Sequence, residues 1–147
     1  MRMSRWILDT PLQLEPLLAE TEDPASGALV IFYGTVRNEN DGQPVHSMTY
    51  EAHATLAEKV LAEIEQEALE RFGVRRCRIQ HRIGTLQLGE TSVLIVVRAA
   101  HRDAAYRASR YAIDAIKQRA PIWKEEHYIS GESRYLDGVP LQQKDIE

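Results

Sequence analysis

Between Thr55 and Phe72 the apolar residues Leu56, Val60, Leu61, Ile64, Ala68 and Leu69 recur at helical spacing and form one stripe. Thr55 with Glu58 reads as a capping box at the start of this helix, and Gly73 as its stop. A second helix is predicted from about Asp103 to Arg119, with Ala104, Ala108, Tyr111, Ala112, Ala115 and Ile116 inward and Pro121 ending it. TSVLIVVRAA, 91–100, is an almost unbroken apolar run, which predicts a central strand. VRRCRIQHRI, 74–83, alternates, putting Cys77, Ile79, His81 and Ile83 on one face. GALVIFYGTVRN, 27–38, is β-branched and aromatic, and VHSMTYEAH, 45–53, alternates. The turn-rich NENDGQP, 38–44, between them predicts one long hairpin with a mobile tip. IWKEEHYI, 122–129, and SRYLD, 133–137, read as a strand pair joined across Gly131. At the N-terminus a short strand is predicted over Trp6–Leu8. A short helix follows, capped by Thr10, started by Pro11 and carrying Leu12, Leu14, Leu17 and Leu18.

Beyond the first forty residues the order is β-α-β-β-α-β. This is the split βαβ pattern of an α+β fold, with an antiparallel sheet and helices on one face. The N-terminal strand and the hairpin attach to this core as a subdomain. The 147 residues read as one domain over 1–147, without repeats or linkers, and the final LQQKDIE as a disordered tail.

Composition narrows the classes. Charged residues are 27% and the formal net charge is −4, which argues against a general nucleic-acid binder. One cysteine, Cys77, excludes an internal disulfide and fits a reducing compartment; mid-strand on an apolar face, it reads as structural. No run is long enough for a membrane span, and the N-terminus carries no secretory pattern. The expected location is the cytoplasm. The five histidines show no metal-ligand spacing, and no phosphate-binding glycine loop or nucleophile elbow occurs.

The remaining chemistry is cationic. In KQRAPIWKEEHY, 117–128, Lys117 and Lys124 flank an Ala-Pro break. Brought together, each would lower the other's pKa; apart, they are surface residues. In AAHRDAAY, 99–106, His101 and Arg102 stand where a strand gives way to a helix, whose N-terminus offers free N–H groups and positive potential. An anion site and a solvated cap are both open readings. Arg37, at a strand end in GTVRNEN, is either a fixed fork for an anion or a rim residue. Arg107, Arg110 and Arg119 could form a nucleic-acid face or a solvated one.

These stretches, in order, resemble the large, catalytic subunit of molybdopterin synthase. The match runs through GALVIFYGTVRNEN, MTYEAH with ATLAEKVLAEI, IQHRIGTLQLGE, VVRAAHRDAAYRASRYAIDAIKQRAPIWKEE and SRYLD, over about 27–137. Its most specific parts are HRIG followed by LGE, AHR at a strand end, and K-x-R-A-P-x-W-K. The segments 1–25 and 138–147 match weakly. The resemblance implies an α/β hammerhead fold and a sulfurtransferase of molybdenum cofactor biosynthesis that needs no metal or redox cofactor. Its substrate would be cyclic pyranopterin monophosphate. Its sulfur would come from the C-terminal Gly-Gly thiocarboxylate of a small ubiquitin-like carrier, in a heterotetramer built on a homodimer.

The resemblance further implies Lys117 at the carrier's terminal glycine and Lys124 in substrate contact and proton transfer. His101 and Arg102 would lie in the pterin and phosphate pocket. Arg37 would bind the same substrate, the neighbouring protomer being one candidate source. Arg134 would bind substrate from the tail strand, while Arg119, Pro121 and Trp123 shape the turn. Thr35 stands where a further cation would suit the TVRN motif, and Glu125 or Glu126 could pair with Lys124 and damp its shift. A noncatalytic module that uses the same basic pocket for a phosphorylated small molecule or a protein tail is the competing reading.

Overall fold

The structure, a computed structural model, describes residues 5–136. Its elements in chain order are β1 (Ile7–Leu8), α1 (Leu14–Glu20), β2 (Ala28–Thr35), β3 (Glu39–Asn40), β4 (Gln43–Ala52), α2 (Ala54–Phe72), β5 (Arg76–Arg82), β6 (Gly84–Gln87), β7 (Thr91–Ala99), α3 (Arg102–Arg119), β8 (Ile122–Tyr128) and β9 (Ser133–Leu136). The class is the α+β one expected. The strands make two sheets, ordered β1-β5-β7-β2 and β3-β4-β8-β9, with β6 also on β4.

The apolar run of β7 is explained by its central place. Val93, Ile95 and Val97 point into the main core, where Leu61 and Ile64 of α2 and Ala108, Ala112 and Ile116 of α3 pack. Leu94 and Val96 point the other way, against Leu17 of α1. A strand covered on both faces has no polar side to show. The period-2 reading of β5 also holds: Cys77, Ile79 and His81 are buried. Gly73 closes α2 in the left-handed region (φ 68°), with its N–H on the Leu69 carbonyl at 3.0 Å.

Several local expectations are corrected. The long hairpin does not form. Asp41 and Gly42, both at positive φ, turn the chain as expected, but only Glu39↔Pro44 and Asn40↔Gln43 pair across the turn. β2 pairs with β7, and the body of β4 pairs with β8 and β6, so this connection crosses from one sheet to the other. Helix α1 begins at Leu14, with Gln13 rather than Thr10 at its N-cap, leaving Pro11 outside. Helix α2 is capped by His53, whose Nδ1 accepts the Leu56 N–H at 3.3 Å, so Thr55 and Glu58 form no capping box. Strand β6 was not anticipated. The tail 141–147 lies outside the described residues. Among the described residues no helix is long and apolar enough to cross a membrane.

Candidate active site

The two lysines are carried by the end of α3 and the start of β8. Arg119 fixes this end of α3 to α2, donating to both Glu67 carboxylate oxygens at 2.6 and 3.0 Å. The Tyr111 hydroxyl adds a third bond to the same carboxylate at 2.5 Å. The Ala120 N–H closes the last helical turn on Ile116 at 3.0 Å, Pro121 is buried, and its carbonyl accepts the His53 N–H at 3.1 Å. The turn is thereby tied to the start of α2, as a shaping role for Arg119 and Pro121 requires. From Ile122 the chain enters β8. Strand alternation puts Lys124, Glu126 and Tyr128 on one face and Trp123, Glu125 and His127 on the other. Of the two acids after Lys124, Glu126 is therefore the one on its face.

Lys124 is largely buried, and its ammonium is acidified. Burial is the main cause, the charge of Lys117 the next, and Arg37 adds to both; Glu126 opposes them. Lys117, Lys124 and Arg37 thus converge within a single chain. Arg37 leaves a fixed point, because Val36 before it is buried, gives its N–H to the Glu90 carbonyl at 3.0 Å and accepts the Gly89 N–H at 2.9 Å. Among the described residues neither lysine has a carboxylate within ion-pairing distance. A cluster of cations without a matching ion pair is suited to anionic ligands.

Two residues given no role in the site by the sequence pattern form the floor beneath Lys124. Tyr50 lies directly opposite it in the β4–β8 ladder, and its ring meets His81 edge-on at 5.0 Å. His81 Nδ1 lies 2.9 Å from the Arg82 carbonyl, an acceptor, so Nδ1 carries the proton. Burial, assisted by the charge of Lys124, lowers the His81 pKa to about 4 and keeps the ring neutral. Burial raises the Tyr50 phenol, so it too is uncharged at neutral pH. Their place under Lys124 could not be found from local pattern, because Tyr50 is set there by pairing with a segment some seventy residues away and His81 by packing across from the other sheet.

The other expected site residues stand elsewhere. His101 is the N-cap of α3 and Arg102 its first residue; both are exposed, and His101 makes no side-chain cap bond. Lys117 is fifteen residues further along the same helix, about 22 Å away at 1.5 Å per residue. One chain therefore does not bring His101 and Arg102 to the lysines. Arg134 pairs with Glu126 across β8–β9 and donates to the Tyr128 hydroxyl from Nε at 3.1 Å and Nη2 at 2.7 Å. It stands one residue removed from the pocket, with its Nη1 group uncommitted among the described residues.

The alternative chemistries weaken. Arg107 and Arg110 face Asp103 and Asp114 at 3.6 and 3.1 Å, and Arg119 faces Glu67, so this helix offers a neutralised surface rather than a basic one. Burial pushes the Cys77 thiol up to about 12, which makes it an inert core residue.

The chain is similar to proteins of one family. The family model described as "MoaE protein" matches residues 7–119. The molybdopterin synthase catalytic subunit of Nostoc sp. is 44% identical over 86% of this chain and 77% of its own length. That of Halalkalibacterium halodurans is 38% identical over 95% of each. The crystal structure of molybdopterin synthase from Staphylococcus aureus superposes with a TM-score of 0.85 at 39% identity, over 92% of this chain and 99% of that one.

Proposed function

The chain belongs to the MoaE protein family, and from that premise we propose that it is the catalytic subunit of a molybdopterin synthase. It moves sulfur from the C-terminal thiocarboxylate of a small Gly-Gly-ended carrier to cyclic pyranopterin monophosphate, making the dithiolene. The observation that carries this reading is the acidified, largely buried Lys124 facing Lys117 and Arg37.

Both reactants are anions, and both must enter one dry pocket. Three cations offset that charge, and exclusion of water strengthens each contact. Lys117, exposed at the end of α3, meets the carrier's terminal carboxylate derivative, for which a point charge on a flexible stem demands no planar geometry. Lys124, whose ammonium gives up its proton more readily than usual, carries the proton that sulfur addition displaces. Arg37 holds the cyclic phosphate. Neutral Tyr50 and His81 add no charge to the floor beneath Lys124.

His101 and Arg102 complete the phosphate site from a second copy of the chain, since a helix length separates them from their own lysines. The working unit on this reading is a homodimer with one carrier per site. The lone cysteine suits a reducing compartment, and we place the enzyme in the cytoplasm.

Reconstitution tests the reading. The purified protein, the substrate and a thiocarboxylated carrier should yield dithiolene pterin by mass spectrometry, and folded Lys117→Ala should yield none. Capture of both ligands without product from the native protein would favour the noncatalytic binding module instead.

A further inference from the structure

Behind Lys124 lies a hydrogen-bonded chain that the reaction as described does not use. Glu126 is 4% exposed and Tyr128 3%. A tyrosine hydroxyl has one proton to give and two lone pairs to offer. Arg134 fills the acceptor side of Tyr128 from Nε and Nη2, at 3.1 and 2.7 Å. The phenol proton is thereby committed to Glu126 Oε1, at 2.6 Å. Asn40, from the β3–β4 turn, donates Nδ2 to the same oxygen at 2.8 Å. Glu126 shares the face of Lys124 two residues away, yet it is turned to these neutral donors and makes no ion pair with the lysine.

We propose that Tyr128 is a positioning residue of this site: with Asn40 it takes one oxygen of Glu126 and keeps that carboxylate from closing onto Lys124. Arg134 acts one step further back, by orienting the Tyr128 hydroxyl. The inference rests on the sulfur-transfer reading for its purpose, but not for its test. A carboxylate free to swing would pair with Lys124, hold its proton and neutralise the cation that the anionic reactants need. Held as it is, Glu126 is, among the described residues, the charge that opposes the acidification of Lys124. The other groups facing the lysine are Lys117 from α3, Arg37 beyond β2, His81 from β5 and Tyr50 from β4.

The test follows the Lys124 side chain by NMR in full-length protein carrying isotope-labelled lysine, with Lys124→Arg to assign the resonance. No substrate or turnover is needed, so failure of the sulfur-transfer reading would appear in the reconstitution and not here. Tyr128→Phe should move the Lys124 titration midpoint up in pH, because the released carboxylate reaches it. Asn40→Ala, at the half-buried end of the short strand β3, should move it in the same direction and guards against misfolding of the first variant. Glu126→Gln should move it down, and adding Tyr128→Phe to Glu126→Gln should produce no upward movement. An unchanged or lowered midpoint in Tyr128→Phe, or an upward movement that survives in the double variant, overturns the proposal.

Discussion

Replacing Arg78 with methionine should be among the most damaging single changes in this fold. Arg78 is buried in β5, with its side chain 8% exposed. Its Nη1 donates to Glu65 Oε2 at 2.6 Å, its Nε to Glu20 at 2.8 Å and its Nη2 to the Arg5 carbonyl at 2.8 Å. The guanidinium thus joins β5 to α1, to α2 and to the chain entering β1. Glu65 is itself 14% exposed and also accepts the Ile79 N–H at 2.8 Å. Arg78→Met keeps the stem and removes the charge, leaving a buried carboxylate with its cation gone. Breaking such a pair from one side costs about 3–5 kcal/mol. For a chain of this size that is a fall of roughly 6–20 °C in Tm.

The pH dependence has a defined sign. Burial already raises the Glu65 pKa against the pull of Arg78. Without Arg78 the raised folded pKa climbs further, so the folded state binds a proton more tightly than the unfolded one. The deficit of the variant should therefore be greatest at high pH and shrink as the pH falls and Glu65 protonates. Adding Glu65→Gln removes the stranded charge while keeping an acceptor for Ile79, and should restore most of the loss. Urea unfolding at pH 5 and pH 8, arranged as a double-mutant cycle, measures all of this. A loss below about 1 kcal/mol, the range of an exposed pair, would refute the reasoning. So would a deficit that grows as the pH is lowered.

Other consequences can be checked more briefly. His81 has a folded pKa of about 4 against 6.5 in the unfolded chain, so stability present above pH 6.5 should drain away toward pH 4, by up to about 3 kcal/mol; thermal melts should lose less on acidification in a folded His81→Gln variant than in the parent. A Cβ at Gly34 would lie 2.5 Å from Val93 Cγ1 in the packed interior, so Gly34→Ala should overpack β2 against β7 and cost about 1–3 kcal/mol by chemical denaturation. Cys77 should resist alkylation at pH 8 in the native protein and react at once in denaturant, as a mass shift per chain will record.

Where the sequence could be read, the signal was local. The stripe of α2, the alanine face of α3, the doubly covered run of β7 and the β8–β9 turn each announce themselves within a dozen or so residues. The long hairpin failed because a real turn at Asp41–Gly42 says only that the chain reverses. It does not say that β2 will prefer β7, or that β4 will prefer β8, partners that lie far along the chain. The N-cap of α2 was misplaced for a related reason: His53 displaced Thr55 because the chain before α2 is already tied to Pro121. In the site, Lys117 and Lys124 were visible as residues flanking a turn. The place of Tyr50 and His81 beside them was not, since Tyr50 arrives by the β4–β8 register and His81 by packing its ring on Tyr50 from the other sheet. The separation of His101 from Lys117 was available from the length of α3, and the proposed two-chain site rests on it.

That division is the most direct test of the account. Lys117→Ala and Arg102→Ala, each inactive alone, should be mixed under conditions that exchange subunits and then supplied with thiocarboxylated carrier and cyclic pyranopterin monophosphate. If the lysines of one copy work with Arg102 of the other, half the dimers become mixed and each holds one intact site, returning about a quarter of the parent's dithiolene product. Lys117→Ala mixed with Lys124→Ala, two residues of one cluster, should return none. Product from the second mixture, or none from the first, would contradict the account.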